Sequence, residues 1–428
     1  MRKRGVIALG IVAAVAAITL GVDRPLAATG EGAAADVPAL VAEGFGADSI
    51  GGEGGEVIWV TNLNDSGPGS FREAVAATGP RIVKFKVGGI INLASNIEVE
   101  HGRLTIDGAS AADKGGITLH GYGISLRGLE CRDVIVRHLR VRRNAKGDCI
   151  TVGKGAHRVV IDHCSVSWGS DENFGINKGH YVTVQWCVIA EANSKDETST
   201  SSKAMLVAHG ANHVTLHHNF FTSNGERNAL MHGLGGFGSG GAQPGTYPGE
   251  QMAIFMPTAL FDFRNNLIYN FTSGSELGQG VHANVVNNYY RYGPSDYPLV
   301  YPPSSGRGMP IHLQLETYYP GSERPKLYCK GNVGPNRPQD EGEEWALVYV
   351  GGVSQPGKWG SDPLYRSDKP FLAPPVETQP AEEVAQLVLE EAGAFPRDDV
   401  DQRLVQEYRT GTGKIGAGYL EWKQKHNL

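Results

Sequence analysis

Arg137, Arg140, Arg142 and Arg143 form a basic run that leads directly into Asp148, within Lys146-Gly147-Asp148-Cys149-Ile150. Guanidinium groups gathered in this way could line a groove for a polyanion, and a solvated strand face carries the same pattern. His217 and His218 look like a metal-binding pair, but adjacent residues of a strand point to opposite faces, which favours structural roles for both. The five cysteines are an odd number with no staple-like clustering, so Cys164 and Cys187 read as small buried thiols rather than a disulfide. Which of these groups does chemistry depends on the elements that carry them.

Those elements repeat. A short strand of alternating apolar residues recurs with first positions at Leu104, Val134, Val159, Val182, Val214, Phe261, Ala283 and Leu327. Each copy ends in His, Asn, Gly or Trp followed by a small residue or Asn. The intervals are 30, 25, 23, 32, 47, 22 and 44 residues, mostly one or two multiples of a single period. A strand-helix-strand unit needs about 30 or more residues. A shorter period fits one coil of a parallel β-helix, in which inward apolar residues stack on their equivalents about 4.8 Å away. Asn219, Asn266, Asn288 and Asn332 fall in one register and predict an internal asparagine ladder, and Cys164 and Cys187 share that register. An antiparallel sandwich with evenly spaced strands gives no reason for such a column.

Composition agrees. Glycine, at 58 of 428 residues, is roughly twice its usual ~7% share, which argues against a mainly helical protein. The 40% hydrophobic content excludes a disordered chain, and a net charge of −6 gives nucleic acid no general reason to bind. Arg2, Lys3 and Arg4, the apolar run Val6 to Val22, and Ala27-Ala28 have the order of a signal peptide over residues 1–28. Cleavage falls between Ala27 and Ala35; an uncleaved anchor is the alternative, since about 17 apolar residues nearly span a bilayer. Removing residues 1–27 takes the charge from −6 to −9. The mature chain is expected to be a soluble, exported monomer, extracellular or periplasmic, with no membrane contact. Residues 29–375 would form the β-helix. Residues 376–428 would form a helical extension on its flank, with helices from about Pro380 to Ala392 and Asp399 to Arg409. Glycine-rich insertions at 233–257 and 290–324 account for the long intervals, and such loops on a rigid scaffold often carry binding.

Several segments, in order, resemble secreted bacterial pectate lyases of polysaccharide lyase family 1. They begin with Gly44-Phe45-Gly46, Gly51 to Gly55 and Val60 to Ala74. The most specific is Ile161-Asp162-His163-Cys164-Ser165-Val166-Ser167-Trp168-Gly169-Ser170-Asp171-Glu172. Ser202 to Leu206, His217-His218-Asn219 with Arg227, and Arg409 to Gly413 continue the match, which covers about residues 44–415. The resemblance implies a right-handed parallel β-helix, all-β apart from the extension, that cleaves polygalacturonate by Ca²⁺-dependent β-elimination.

That reaction needs a way to acidify the C5 proton, a base to take it, and help for the departing O4. A divalent ion on the substrate carboxylate, with nearby cations, meets the first need. By the resemblance, Asp148 and Asp171 are the acidic calcium positions, with Glu172 beside the second, and carboxylate oxygens suit Ca²⁺. Some relatives carry further acids where this chain has Lys146 and Ser167, so the cation shell would be completed by substrate. Arg227 follows Asn219 by eight residues, the spacing of the family's proton-abstracting arginine, and Lys203 resembles its carboxylate-binding lysine. A guanidinium acts as a base only where dense positive charge makes its neutral form accessible. His232 stands where relatives have a second arginine and either binds the sugar acid or is a turn residue; Ala229 replaces a usual proline. Arg140 is the member of the basic run assigned to substrate. The alternatives are a lyase or hydrolase of another acidic polysaccharide, the latter needing paired carboxylates at catalytic separation, or a non-catalytic carbohydrate-binding β-helix.

Overall fold

The computed structural model describes residues 37–192, 202–233, 258–295, 308–314, 323–352 and 355–428. The expected signal peptide, and most of the two glycine-rich insertions, lie outside these residues. Within them, each recurrent apolar strand joins one ten-stranded sheet, here sheet A, running from Glu56–Val60 to Lys326–Lys330. The register is the one the repeat predicts: Leu104 pairs with Val134, Val134 with Val159, Val159 with Val182 and Val182 with Val214. Val214 continues to Phe261, Phe261 to Ala283 and Ala283 to Leu327.

Two further sheets complete each coil. Sheet B has eight strands from Gly89–Asn92 to Tyr289–Arg291, and sheet C ten strands from Ile97–Val99 to Gln355–Trp359. Among the described residues, every strand pairing is parallel except Val348–Gly352 with Gln355–Trp359, and the isolated bridge Gly334–Arg337 is antiparallel as well. Sheet-to-sheet connections of this kind are right-handed because the strands twist right-handed. The chain is thus a right-handed parallel β-helix whose interior stacks Ile106, Val136, Ile161, Val184, Leu216, Phe263 and Val285 into one core. One strand of sheet C, Met309–Gln314, lies inside what the sequence presents as an insertion.

From Arg132–Arg137 to Val281–Val286, the residue that closes each sheet A strand is left-handed: φ is 52° at His138, 47° at His163, 53° at Trp186, 54° at His218, 50° at Asn265 and 52° at Asn287. The next residue turns inward and forms the ladder. Asn219, Asn266 and Asn288 each donate to the Oδ1 of the next asparagine at 2.9 to 3.0 Å. Cys187 continues the column, donating its amide to Asn219 Oδ1, and all five cysteines are free and buried. Because φ changes sign at His218, strand alternation fails there, and the Nδ1 atoms of His217 and His218 meet at 2.8 Å. Both rings are buried against Gln185 and Gln379, so their role is structural for a reason other than opposite faces.

Among the described residues, four α-helices cover this frame. The short α1 (Phe71–Ala76) adds Phe71, Ala74 and Val75 to the core near the first coil. In the C-terminal segment, α2 (Ala381–Glu391), α3 (Asp399–Thr410) and α4 (Tyr419–Lys425) lay Val384, Val388, Leu404, Val405 and Trp422 on the outer face of sheet B. The first two match the expected helical stretches, and α4 was not legible in the sequence. Among the described residues, no helix is long and apolar enough to cross a membrane.

Candidate active site

Successive strands of sheet C each contribute one part of a polar cluster. Asp148 precedes the strand Ile150–Gly153, Asp171 and Glu172 open the strand Glu172–Asn177, and Lys203 opens Lys203–Ala208. Glu226 and Arg227 precede the short strand Leu230–Met231. Glu172 pairs in register with Lys203, and Lys203 with Glu226, so these three stack across neighbouring coils.

The turns that carry the acids are clamped together. Arg143 donates to the carbonyls of Ala145 and Lys146 and to Asn96 Oδ1, while Gly147 N donates to Ser170 Oγ at 2.9 Å and Ser170 N to Gly147 O at 3.1 Å. Asp148 Oδ1 then accepts from Glu172 N at 3.2 Å. The carboxylate lies directly over Gly175, where an added Cβ would stand 2.3 Å from Asp148 Oδ2. The oxygens of Asp148, Asp171 and Glu172 can all be chosen within 4.8 Å of one another.

Two of these carboxylates, Asp148 and Glu172, titrate unusually. Burial pushes Asp148 up to about 6, with a further push from Asp171, against the hydrogen bond from Glu172 N. Burial also lifts Glu172 to about 7; Arg227 opposes this, and Asp148 and Asp171 reinforce it. Hard oxygen donors short of compensating charge are what a divalent cation such as Ca²⁺ satisfies. The donor set fits such an ion. On the other side stand two cations: Arg227 Nη1 donates to Glu172 Oε1, and Lys203 Nζ lies 3.7 Å from Asp171 Oδ1.

Of the residues singled out in the sequence, Asp148, Asp171, Glu172, Lys203 and Arg227 are brought together. Arg140 is not. It is buried on sheet B, donates to the carbonyls of Gly115 and Pro396, and lies 3.9 Å from Asp398, so the expected substrate contact is corrected. The rest of the basic run also fails to line a groove: Arg137 faces Asp162, and Arg142 is wholly buried on Asp398 and Asp401 at 2.8 and 2.7 Å. Only Arg143 acts near the site, through its turn. His232 is corrected as well. It is 4% exposed, with Nε2 3.2 Å from Gln314 Oε1, so it does not present itself to a sugar acid. Ser167 is buried and accepts from Arg142, while Lys146 is exposed. Glu226, Glu276 and Gln314 were missed; Glu226 is legible only as the neighbour of Arg227, and the other two reach the cluster by coil register alone.

No family model matches the chain. It is 38% identical over 274 residues to the "Probable pectate lyase C" of Aspergillus fumigatus, covering 60% of this chain and 56% of that protein. The Aspergillus terreus protein of the same name is 37% identical over 264 residues, with 59% and 54% covered. "Pectate lyase 1" of Ambrosia artemisiifolia is 27% identical over 207 residues, with 41% and 50% covered. The chain thus spans about half the length of the curated relatives it matches. Among solved structures, the cedar pollen allergen jun a 1 superposes with a TM-score of 0.53 at 18% identity, over 83% of this chain and 93% of that one, a likeness of fold.

Proposed function

We propose that this protein is an exported pectate lyase that cleaves polygalacturonate by β-elimination, leaving a 4,5-unsaturated sugar at the new non-reducing end. The observation that carries the reading is the meeting of Asp148, Asp171 and Glu172 with Arg227 and Lys203, from strands that only the coil register makes neighbours. The similarity to pectate lyases from fungi and ragweed supports it.

The three carboxylates would hold Ca²⁺ through hard oxygens. Bound there, the ion would polarise a uronate carboxylate and so acidify the adjacent C5–H. Arg227 is the group placed to take that proton. Its Nη1 is engaged by Glu172 Oε1, so abstraction requires this pair to open. Lys203 provides positive charge beside it, which lowers the cost of a neutral guanidinium and stabilises the enolate oxygens. As the C5–H electrons form the C4=C5 bond, O4 leaves with its electron pair and takes a proton from solvent.

The same reading assigns residues 1–28 as a leader, 29–375 as the catalytic β-helix and 376–428 as its extension, with a monomer as the working unit. The motif order supports placing it with secreted bacterial members, although the matching relatives are fungal and plant proteins. Polygalacturonate incubated with the protein and Ca²⁺ should develop ultraviolet absorbance from the conjugated product, and chelator should stop it. Arg227→Ala should lower kcat by about 10²–10⁴-fold with Ca²⁺ binding intact. No absorbance on any pectic substrate would refute the lyase; shortening without absorbance would indicate a hydrolase, and binding without shortening an adhesion module.

A further inference from the structure

Arg227 stands on unusual backbone. Its φ is 59°, in the left-handed region that side chains other than Gly and Asn seldom occupy. The flanking amides bond to neighbouring coils in the ordinary way, Glu226 N to Ser202 O and Asn228 N to Gly274 O, both at 2.9 Å. The Arg227 amide instead donates to a side chain, Glu276 Oε1, at 2.8 Å.

Glu276 is itself held. Its Oε2 accepts from Gln314 Nε2 at 2.7 Å, and Gln314 Oε1 faces His232 Nε2 at 3.2 Å. Gln314 turns its nitrogen to Glu276 Oε2 and therefore its oxygen to His232, and since an amide oxygen only accepts, His232 carries its proton on Nε2. All three side chains are buried, and burial, aided by Arg227, keeps His232 neutral, with its pKa down to about 4. The imidazole lies flat on Gly278, where an added Cβ would stand 2.1 to 2.4 Å from ring atoms. These contacts give every hydrogen bond of the chain one direction.

We propose that Glu276 is a positioning residue: backed by Gln314 and His232, it fixes the left-handed turn at Arg227 and so aims the guanidinium at the carboxylate cluster. The inference rests on the reading of Arg227 as the base. It also gives His232 a task other than sugar binding, linked to the Arg227 amide through the side chains of Gln314 and Glu276.

The test is a set of variants of the full chain, assayed on polygalacturonate with saturating Ca²⁺ and followed by hydrogen exchange of the Arg227 amide. Glu276→Ala should lower kcat by about 100-fold, the effect of a misplacement near 1 Å, with KM and Ca²⁺ affinity within about threefold of wild type. Its Arg227 amide should exchange at least about tenfold faster. Gln314→Glu alone, which sets two carboxylates face to face, should be as slow. The paired exchange Glu276→Gln with Gln314→Glu keeps an oxygen acceptor for the Arg227 amide and another for His232 Nε2 and reverses only the middle hydrogen bond, so kcat should return to within about fivefold of wild type. Should Glu276→Ala fail to fold, this pair against Gln314→Glu decides the matter. Full kcat in Glu276→Ala, or a pair that melts like wild type yet stays slow, would overturn the proposal. An inactive wild type would sink the lyase reading instead, and unchanged Arg227 exchange in Glu276→Ala would still overturn this one.

Discussion

If Asp148 and Glu172 must both be ionised to hold Ca²⁺, protons and the cation compete, and affinity must fall on acidification. With Asp148 at about 6 and Glu172 at about 7, the two are almost fully ionised at pH 8. At pH 6 Asp148 is half ionised and Glu172 about one-tenth. The competition weakens binding about 20-fold between pH 8 and pH 6, or ~1.8 kcal/mol. Binding should release about 1.4 protons at pH 6 and about 0.1 at pH 8. Calorimetric titration with Ca²⁺ in buffers of different ionisation enthalpy measures both quantities at once. Affinity that stays within about twofold across this range, with no proton release at pH 6, would mean that the ion does not use these carboxylates. Asp171→Asn should weaken binding at every pH, since it removes a donor whatever its neighbours' protonation.

Gly175→Ala would set a methyl group 2.3 Å from Asp148 Oδ2, and calorimetry should show Ca²⁺ affinity down at least about tenfold with little change in melting temperature. Asn266→Ala removes hydrogen bonds to Asn219, Leu216 and Asn288 inside the core and strands the Asn219 donors. Denaturant titration should show a loss of about 4 kcal/mol, and a loss under about 1 kcal/mol would refute the ladder's structural weight. His218 is depressed by burial to about 4, so the folded state resists its protonation while the unfolded state accepts it. Its contribution is fully present above about 6.5 and is lost as pH falls towards 4, amounting to about 2.5 kcal/mol between pH 7.5 and 4.5. His218→Asn, the residue type found at positions 265 and 287 of that column, should reduce the acid sensitivity of unfolding by that amount.

Sheet A was readable because its inward positions are regularly apolar and asparagines mark its last four turns. Sheet C was not. Its strand Glu172–Asn177 carries Glu, Asn and Gly, because its outer side bears the polar cluster rather than packed chain. The site acids and Arg227 were reached through motif order, while Glu276 and Gln314 had no local signal, since they meet Arg227 only by stacking coils. Arg140 and Arg142 misled for the opposite reason. A basic run on a strand suggests a ligand, but the counter-charges Asp398 and Asp401 sit more than 250 residues later, at the N-cap and in the first turn of α3. His232 misled through its position beside Arg227, with nothing in the sequence to show that it is buried.

The successive strands of sheet C act as a ruler with fixed divisions. Glu172 and Arg227 are separated by one intervening strand, that of Lys203, so their separation is set by a count of coils and not by the length of any loop. Insertions can therefore lengthen the turns between these strands without altering the spacing of the reacting groups. Gain or loss of a whole coil near Ile97–Val99 would only extend or shorten the floor beside the cluster. The same event between Asn177 and Lys203 would change the separation of base and carboxylates by about 4.8 Å. Lineages built on this scaffold are thus free to vary loops and ends, and are held to a strict coil number only between Asp148 and Gln314.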